Sequence, residues 1–375
     1  MTNIPFYLHD LGDAEIEAVA QVLRTPFLTT GDTVAKFERA LADLLGCKHA
    51  LAVTSCTGAM HMSLLGMDIG PGDEVITTPM SFIATSCAIL EAGATPVFVD
   101  VEADTGNLDA KRIETAITSK TKAILPVHLY GLMCDMKSIR EVAQKHNLRI
   151  IEDAAHCVEG VRSGLRPGQA ADTACFSFYA TKNLTCGEGG ALVTNDSDLF
   201  ERLKLLRLHG ATKTAADRVR EGYQHWDMVS LGWKYNMSNI EAAILLPQFE
   251  RLGRKLEDRQ QLAALYAEKL SAIQGVQLVS SRPNTVHAHH LYTVWIKSAK
   301  RDLVLQNLRK LGVEAVVNYR PIHLTDYFVR TFGFQPGAFP NAERIGEQTI
   351  SLPFYPFMPR EHVEQVAQAL AESVS

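Results

Sequence analysis

The sequence predicts an α/β protein: a large domain with a mostly parallel central sheet flanked by helices, followed by a smaller C-terminal α+β domain. Three observations lead there. Between Asp73 and Asn195 short, fully apolar runs of strand length alternate with amphipathic helical patterns, the mark of parallel strands buried on both faces. Past Asn239 the texture changes to a long, charge-laced helical stretch. At 375 residues, 46% apolar and 21% charged, the chain has the length for two domains and the apolar content for a sizeable core.

The elements follow in order. "DEVITTP" (73–79) is a strand that leads into the helical "SFIATSCAILEAG" (81–93). "TPVFVDVE" (95–102) precedes the helix "DAKRIETAI" (109–117), and "TKAILPVHLYG" (121–131) precedes "MKSIREVAQKHN" (136–147). "LRIIEDAAH" (148–156) is the next strand. The stretch 238–273 repeats apolar residues at helical spacing but contains Pro247, which lacks an amide hydrogen and predicts a kink or break. Strands at 289–297 and 313–319 and helices at 301–312 and 360–374 make the smaller unit. The division is expected near residue 245, giving domains 1–245 and 246–375. Residues 210–227 are polar and aperiodic, and read as an exposed loop that orders on contact with a ligand or partner.

Composition removes several function classes. Lys and Arg number 37 against 42 Asp and Glu, a net charge of −5, and no basic run offers a nucleic-acid surface. The start "MTNIPFYLHDLGDAE" lacks the basic and apolar regions of a signal peptide. No window holds the roughly 18 uninterrupted apolar residues of a membrane span. Seven scattered cysteines without a C-x-x-C pair argue for reduced thiols rather than zinc or disulfides. The expectation is a cytoplasmic protein with no metal, membrane or nucleic-acid partner.

The chemistry centres on "CFSFYATKNLTCGEGGALVTND" (175–196), where Lys182 stands between strand formers and a glycine turn. It does not follow a Walker A loop, and "GEGGAL" has Leu192 where a dinucleotide fingerprint needs glycine. A lysine in apolar company loses basicity by desolvation, and its free amine can attack an aldehyde. That suggests a Schiff base with pyridoxal phosphate, which needs an anion for its pyridine nitrogen, a flat contact for its ring and donors for its phosphate. Asp153 ends a buried strand and supplies the anion, although a capping role would place it there too. Glu152 faces the opposite way. Thr57 and Gly58 open the helix after "LAVTSC", where free N–H groups favour phosphate and where an ordinary N-cap looks the same. Ser177 adds a hydroxyl from the lysine's own segment. Phe82 either stacks on the ring or belongs to the core.

These motifs resemble the sugar-nucleotide aminotransferases of the DegT/DnrJ/StrS type, which have the fold type I pyridoxal-phosphate architecture. The resemblance runs nearly end to end through "FLTTGDTVAKFE", "DIGPGDEV", "GATPVFVDVEADTGNLD", "AILPVHLYG", "IEDAAH", "FSFYATKNLTCGEGGALVTN" and "SLPFYP". It implies that Lys182 holds the cofactor and shuttles the proton, and that Asp153 pairs with the pyridine nitrogen. It further implies that Thr57, Gly58 and Ser177 hold the phosphate, that Phe82 and Ala155 sandwich the ring, and that His156 lies near the ring hydroxyl. Asn236 matches the asparagine that reaches a partner's phosphate across a homodimer interface. The family's Ser-Gly-Thr turn is here Ser55-Cys56-Thr57.

The implied reaction takes an amino group from L-glutamate, passes through pyridoxamine phosphate, and delivers it to a keto-sugar nucleotide. His156 resembles members that aminate carbon 4, whereas carbon-3 enzymes more often carry glutamine there. The loop 210–226 and Tyr319, Arg320 and His323 are candidate substrate contacts, with an interdomain salt bridge the other use for the arginine. Other readings remain: a dehydratase, a transaminase of free amino acids, or a regulatory protein on this scaffold that has lost turnover.

Overall fold

The computed structural model describes residues 3–213, 225–297 and 301–374. Seven strands form the main sheet: β1 (His49–Val53), β2 (Glu74–Thr77), β3 (Thr95–Phe98), β4 (Thr121–Leu125), β5 (Arg149–Asp153), β7 (Thr173–Ser177) and β8 (Gly190–Thr194), with the two-residue β6 (Val161–Arg162) outside it. Their order is β1-β8-β7-β5-β4-β2-β3, while β6 pairs antiparallel with β10 (Thr285–Val286). All neighbours are parallel except β8, which runs antiparallel to both β7 and β1.

Side-chain alternation explains why β1, β7 and β8 carry apolar residues on both faces. Ala50, Ala52, Ala174, Phe176, Ala191 and Val193 pack on one face with Val34, Phe37, Leu41 and Leu45 of the helix Asp32–Leu45. Their sequence neighbours Leu51, Val53, Cys175 and Leu192 pack on the other face with the helix Cys56–Gly66. Phe37 meets Phe178 edge to face at 5.3 Å, and a fully buried side chain of this kind contributes about 2–3 kcal/mol.

The C-terminal part builds its own core around the antiparallel strands β9 (Val276–Leu278), β11 (Tyr292–Ile296) and β12 (Thr349–Leu352), in the order β12-β11-β9. The helices Leu252–Leu270 and Arg360–Val374 cover it. Ile4 belongs to the same core and bridges to Val313, so the chain's start is packed with its last third.

Two element expectations are corrected. The run 313–319 forms no strand, only single bridges from Val313 to Ile4 and from Val316 to Ser351. It leaves the β12 edge after Val316 and carries Tyr319 to His156. The helix expected over 109–117 is α-helical only from Ala110 to Ile113, then tightens to a 3₁₀ turn over Glu114–Ala116. The break after Pro247 is as expected: one helix spans Asn239–Phe249 and the next starts at Leu252. Among the described residues no helix is long and apolar enough to cross a membrane.

Candidate active site

Sheet register assembles the site. Val53 pairs with Gly190, and Gly190 with Ser177, so one row crosses β1, β8 and β7 at the site end. Asn236 bridges to Val53 and extends that row. The helix Cys56–Gly66 starts just beyond Val53, with the Ser55 hydroxyl accepting from Gly58 N–H at 3.0 Å. That N-terminus carries free amide hydrogens and the positive end of the helix dipole. Gly190 is required for the approach. A Cβ there would lie 2.3 Å from the Ser55 carbonyl carbon and 2.5 Å from the Cys56 nitrogen, backbone atoms that cannot turn aside. Gly190→Ala is expected to lower the melting temperature by an amount equivalent to about 1–3 kcal/mol and to weaken phosphate-dependent cofactor binding, both measurable by thermal shift with and without cofactor.

Asp153 is the last residue of β5 and is buried. Its Oδ2 accepts from Thr85 Oγ1 at 2.8 Å and its Oδ1 from Ala155 N–H at 3.1 Å. The Cys56 thiol lies 3.9 Å from Oδ1, so the residue at the departure from Ser-Gly-Thr faces this carboxylate. Burial pushes the Asp153 carboxyl above its ordinary range, against the pull of Thr85 and Ala155. No salt bridge holds Asp153 among the described residues. Glu152 faces the opposite side of the sheet as expected: its Oε2 meets His128 Nε2 at 2.6 Å and its Oε1 accepts from Gly168 N–H.

Lys182 is half-buried, and desolvation lowers its amine from 10.5 to about 8, against the opposing pull of Asp153 and Cys56. Its Nζ lies 3.3 Å from Nε2 of His290. His156 Nδ1 accepts from Tyr130 N–H at 3.2 Å, which puts the ring proton on Nε2, facing the Tyr319 hydroxyl at 3.2 Å. Tyr319 then keeps its own proton to donate. Phe82, 56% exposed, stands with its ring 6.2 Å from that of Tyr319.

Asp153, Ala155, His156, Lys182 and Tyr319 are thus linked by hydrogen bonds or mutual electrostatics, and Ser177 lies on the row whose β1 end, Val53, leads into the helix carrying Thr57 and Gly58. Other expected residues lie apart. Arg320 is exposed and donates to Leu324 O at 2.6 Å. His323 is fully buried, with Nε2 3.0 Å from Glu343 Oε1 and its ring against Phe339. The Asn236 side chain meets Thr30 and Lys234 of its own chain. Residues 214–224 of the expected substrate loop lie outside the described residues.

Thr85, Tyr130 and His290 were not read from the sequence. His290 lies 108 positions from Lys182, and nothing local to "VHAHH" separates it from its neighbouring histidines.

The model of the DegT/DnrJ/EryC1/StrS aminotransferase family matches residues 9–371. This chain belongs to that aminotransferase family. The spore coat polysaccharide biosynthesis protein SpsC of Bacillus subtilis is 38% identical over 377 aligned positions, covering 99% of this chain and 97% of SpsC. Spr1654 of Streptococcus pneumoniae, provisionally designated a sugar aminotransferase and solved in its PMP form, superposes with a TM-score of 0.94 at 31% identity, covering 100% of both chains. Helicobacter pylori PseC, an aminotransferase in the biosynthesis of pseudoaminic acid, gives 0.92 at 30% identity over 100% of this chain and 99% of PseC. The architecture is that of fold type I aminotransferases, as the sequence led one to expect.

Proposed function

We propose that this aminotransferase uses pyridoxal phosphate to move an amino group from L-glutamate to carbon 4 of a keto-sugar nucleotide, working in the cytoplasm as a homodimer. The observation that carries the reading is a desolvated Lys182 amine near enough to act electrostatically on a buried Asp153 carboxylate, which has hydrogen bonds but no ion pair among the described residues. Such a carboxylate is costly until a cationic partner arrives, and a protonated pyridine nitrogen is one. The helix start at Thr57–Gly58 and the Ser177 hydroxyl fit the phosphate. Sugar as the substrate class is supported by what SpsC, Spr1654 and PseC are described as doing.

When bound, the cofactor supplies the electrophilic carbonyl and the electron sink. The chain's residues do the rest. Lys182 Nζ would take the proton from the amino donor's α-carbon and hold it for return. Asp153, held by Thr85 and Ala155 N–H, would face the pyridine nitrogen and favour its protonated form. Tyr319, fixed by His156, offers a hydrogen bond to the bound ring or substrate. Lys182 acts as a base only when neutral. Because burial lowers its amine, the active fraction rises with pH through about 8 rather than 10.5. A stopped-flow pH profile of the glutamate half-reaction should show this midpoint, and a limb still rising beyond pH 10 would contradict it.

The functional test is spectroscopic. The yellow enzyme should bleach with L-glutamate and recover with a 4-keto-sugar nucleotide, giving an amino-sugar nucleotide detectable by mass spectrometry. Recovery with 3-keto sugars alone would move the reaction to carbon 3. A protein that binds cofactor but never bleaches would be a regulator instead. The homodimer reading is supported by exposed Leu28, Tyr179, Met228, Val229 and Leu231, apolar surface that an isolated chain rarely displays. Asn236 of each chain would then reach the other's phosphate site. A monomeric mass by light scattering would remove it.

A further inference from the structure

The contact between Lys182 and His290 is held by more than the two side chains. Ala288, two residues before His290, offers its carbonyl to Asn183 Nδ2 and to Arg259 Nε, each at 3.1 Å. Asn183, next to Lys182, also donates to Glu159 Oε2 at 2.9 Å, and Glu159 Oε1 is ion-paired with Arg259 Nη2. Both members of that pair are buried. The neighbour of Lys182 and the segment leading to His290 are therefore stitched to one buried ion pair. On the other side His290 N–H donates to Tyr130 O at 3.0 Å, and its ring lies 4.4 Å from that of His156.

The hydrogen bonding of His290 assigns its proton. Its Nδ1 is buried with no hydrogen-bond partner among the described residues. A proton there would be a buried donor facing nothing, which folded proteins avoid more strictly than an unused lone pair. A proton on Nε2 points at Lys182 Nζ. That arrangement requires a neutral amine with its lone pair toward the imidazole.

We propose that His290 is a positioning residue that docks the free Lys182 amine through Nε2–H, holding it neutral and aimed whenever it is not attached to the cofactor. This rests on the reading of Lys182 as the reacting amine. The electrostatics agree: burial and the nearby Lys182, His156 and Arg259 all push His290 below its ordinary value, so the imidazole stays neutral. Asp153 and Cys56 act on the lysine in the opposite sense to its burial. The dock would therefore offset their pull toward the ammonium form.

The test uses the holoenzyme in its pyridoxamine-phosphate form, where the lysine is free. The pH dependence of Lys182 acetylation by acetic anhydride, read by peptide mass spectrometry, gives its titration directly. In wild type the midpoint should lie near about 8. His290→Leu keeps the site apolar but removes the donor, and should raise the midpoint by about one unit. His290→Gln, whose amide nitrogen can occupy the Nε2 position, should bring it back. A midpoint that stays in place or falls in His290→Leu overturns the dock. Should that variant fail to fold, the nitrogen-15 spectrum of wild-type His290 decides: an Nε2–H tautomer supports the proposal and an Nδ1–H tautomer overturns it. Failure of the underlying reading looks different, because Lys182→Ala would then still fix cofactor on borohydride reduction.

Discussion

Lys182→Ala should lower turnover roughly 10⁴-fold, the upper end of what a positioned general base contributes. It should also abolish covalent retention of the cofactor. On the proposed reading the two effects share one cause: the same Nζ would be both nucleophile and proton carrier. The buried Lys255 has its amine on Asp10 and on Asn183 O. The measurement is the mass of the 175–196 peptide after borohydride treatment, alongside kcat. Wild type should carry the reduced cofactor on that peptide, and the variant should carry none. Cofactor fixed elsewhere with full turnover would overturn the assignment.

Asp153→Asn should lower kcat/KM by about 10²- to 10⁴-fold, corresponding to the roughly 3–5 kcal/mol that follows loss of one partner from a buried charge pair. The amide keeps the shape but cannot hold a proton on the pyridine nitrogen. The effect on stability separates this from simple misfolding. In the cofactor-free protein burial raises the Asp153 carboxyl, so the native state binds more protons than the unfolded chain between the two values. Stability contributed by this group is therefore present at low pH and lost as pH rises through that window. Removing the charge spares that penalty, and the cofactor-free melting temperature should change little. The gain on adding pyridoxal phosphate should shrink. A large fall in the cofactor-free melting temperature with an unchanged cofactor shift would contradict the role.

Much of this was legible before any coordinates. Lys182 and Asp153 stand out because each puts a charge where an apolar strand pattern says water is scarce. Glu152 faces away from Asp153 because strand alternation leaves no choice. Pro247 was read correctly because a missing amide hydrogen is a local fact. The strand expected over 313–319 fails for a different reason. "VEAVVNY" has strand composition but leaves the β12 edge after one bridge. His323 and Arg320 sit in a motif with the right chemistry, yet one is sealed beside Phe339 and Glu343 and the other turns to Leu324 O.

The sequence by itself determined the sheet-and-helix alternation and the family, and it singled out Lys182 and Asp153 as the candidate pair, since these depend on periodicity and on residues close together in the chain. Only the tertiary structure decided which donors hold Asp153, which groups face the rings of His156 and His290, and that Ile4 packs with the C-terminal core. Those contacts join Thr85 to Asp153, Tyr130 to His156 and Lys182 to His290 across separations that leave no periodic trace. They arise because burial forces each polar atom to find whichever partner the fold brings within reach.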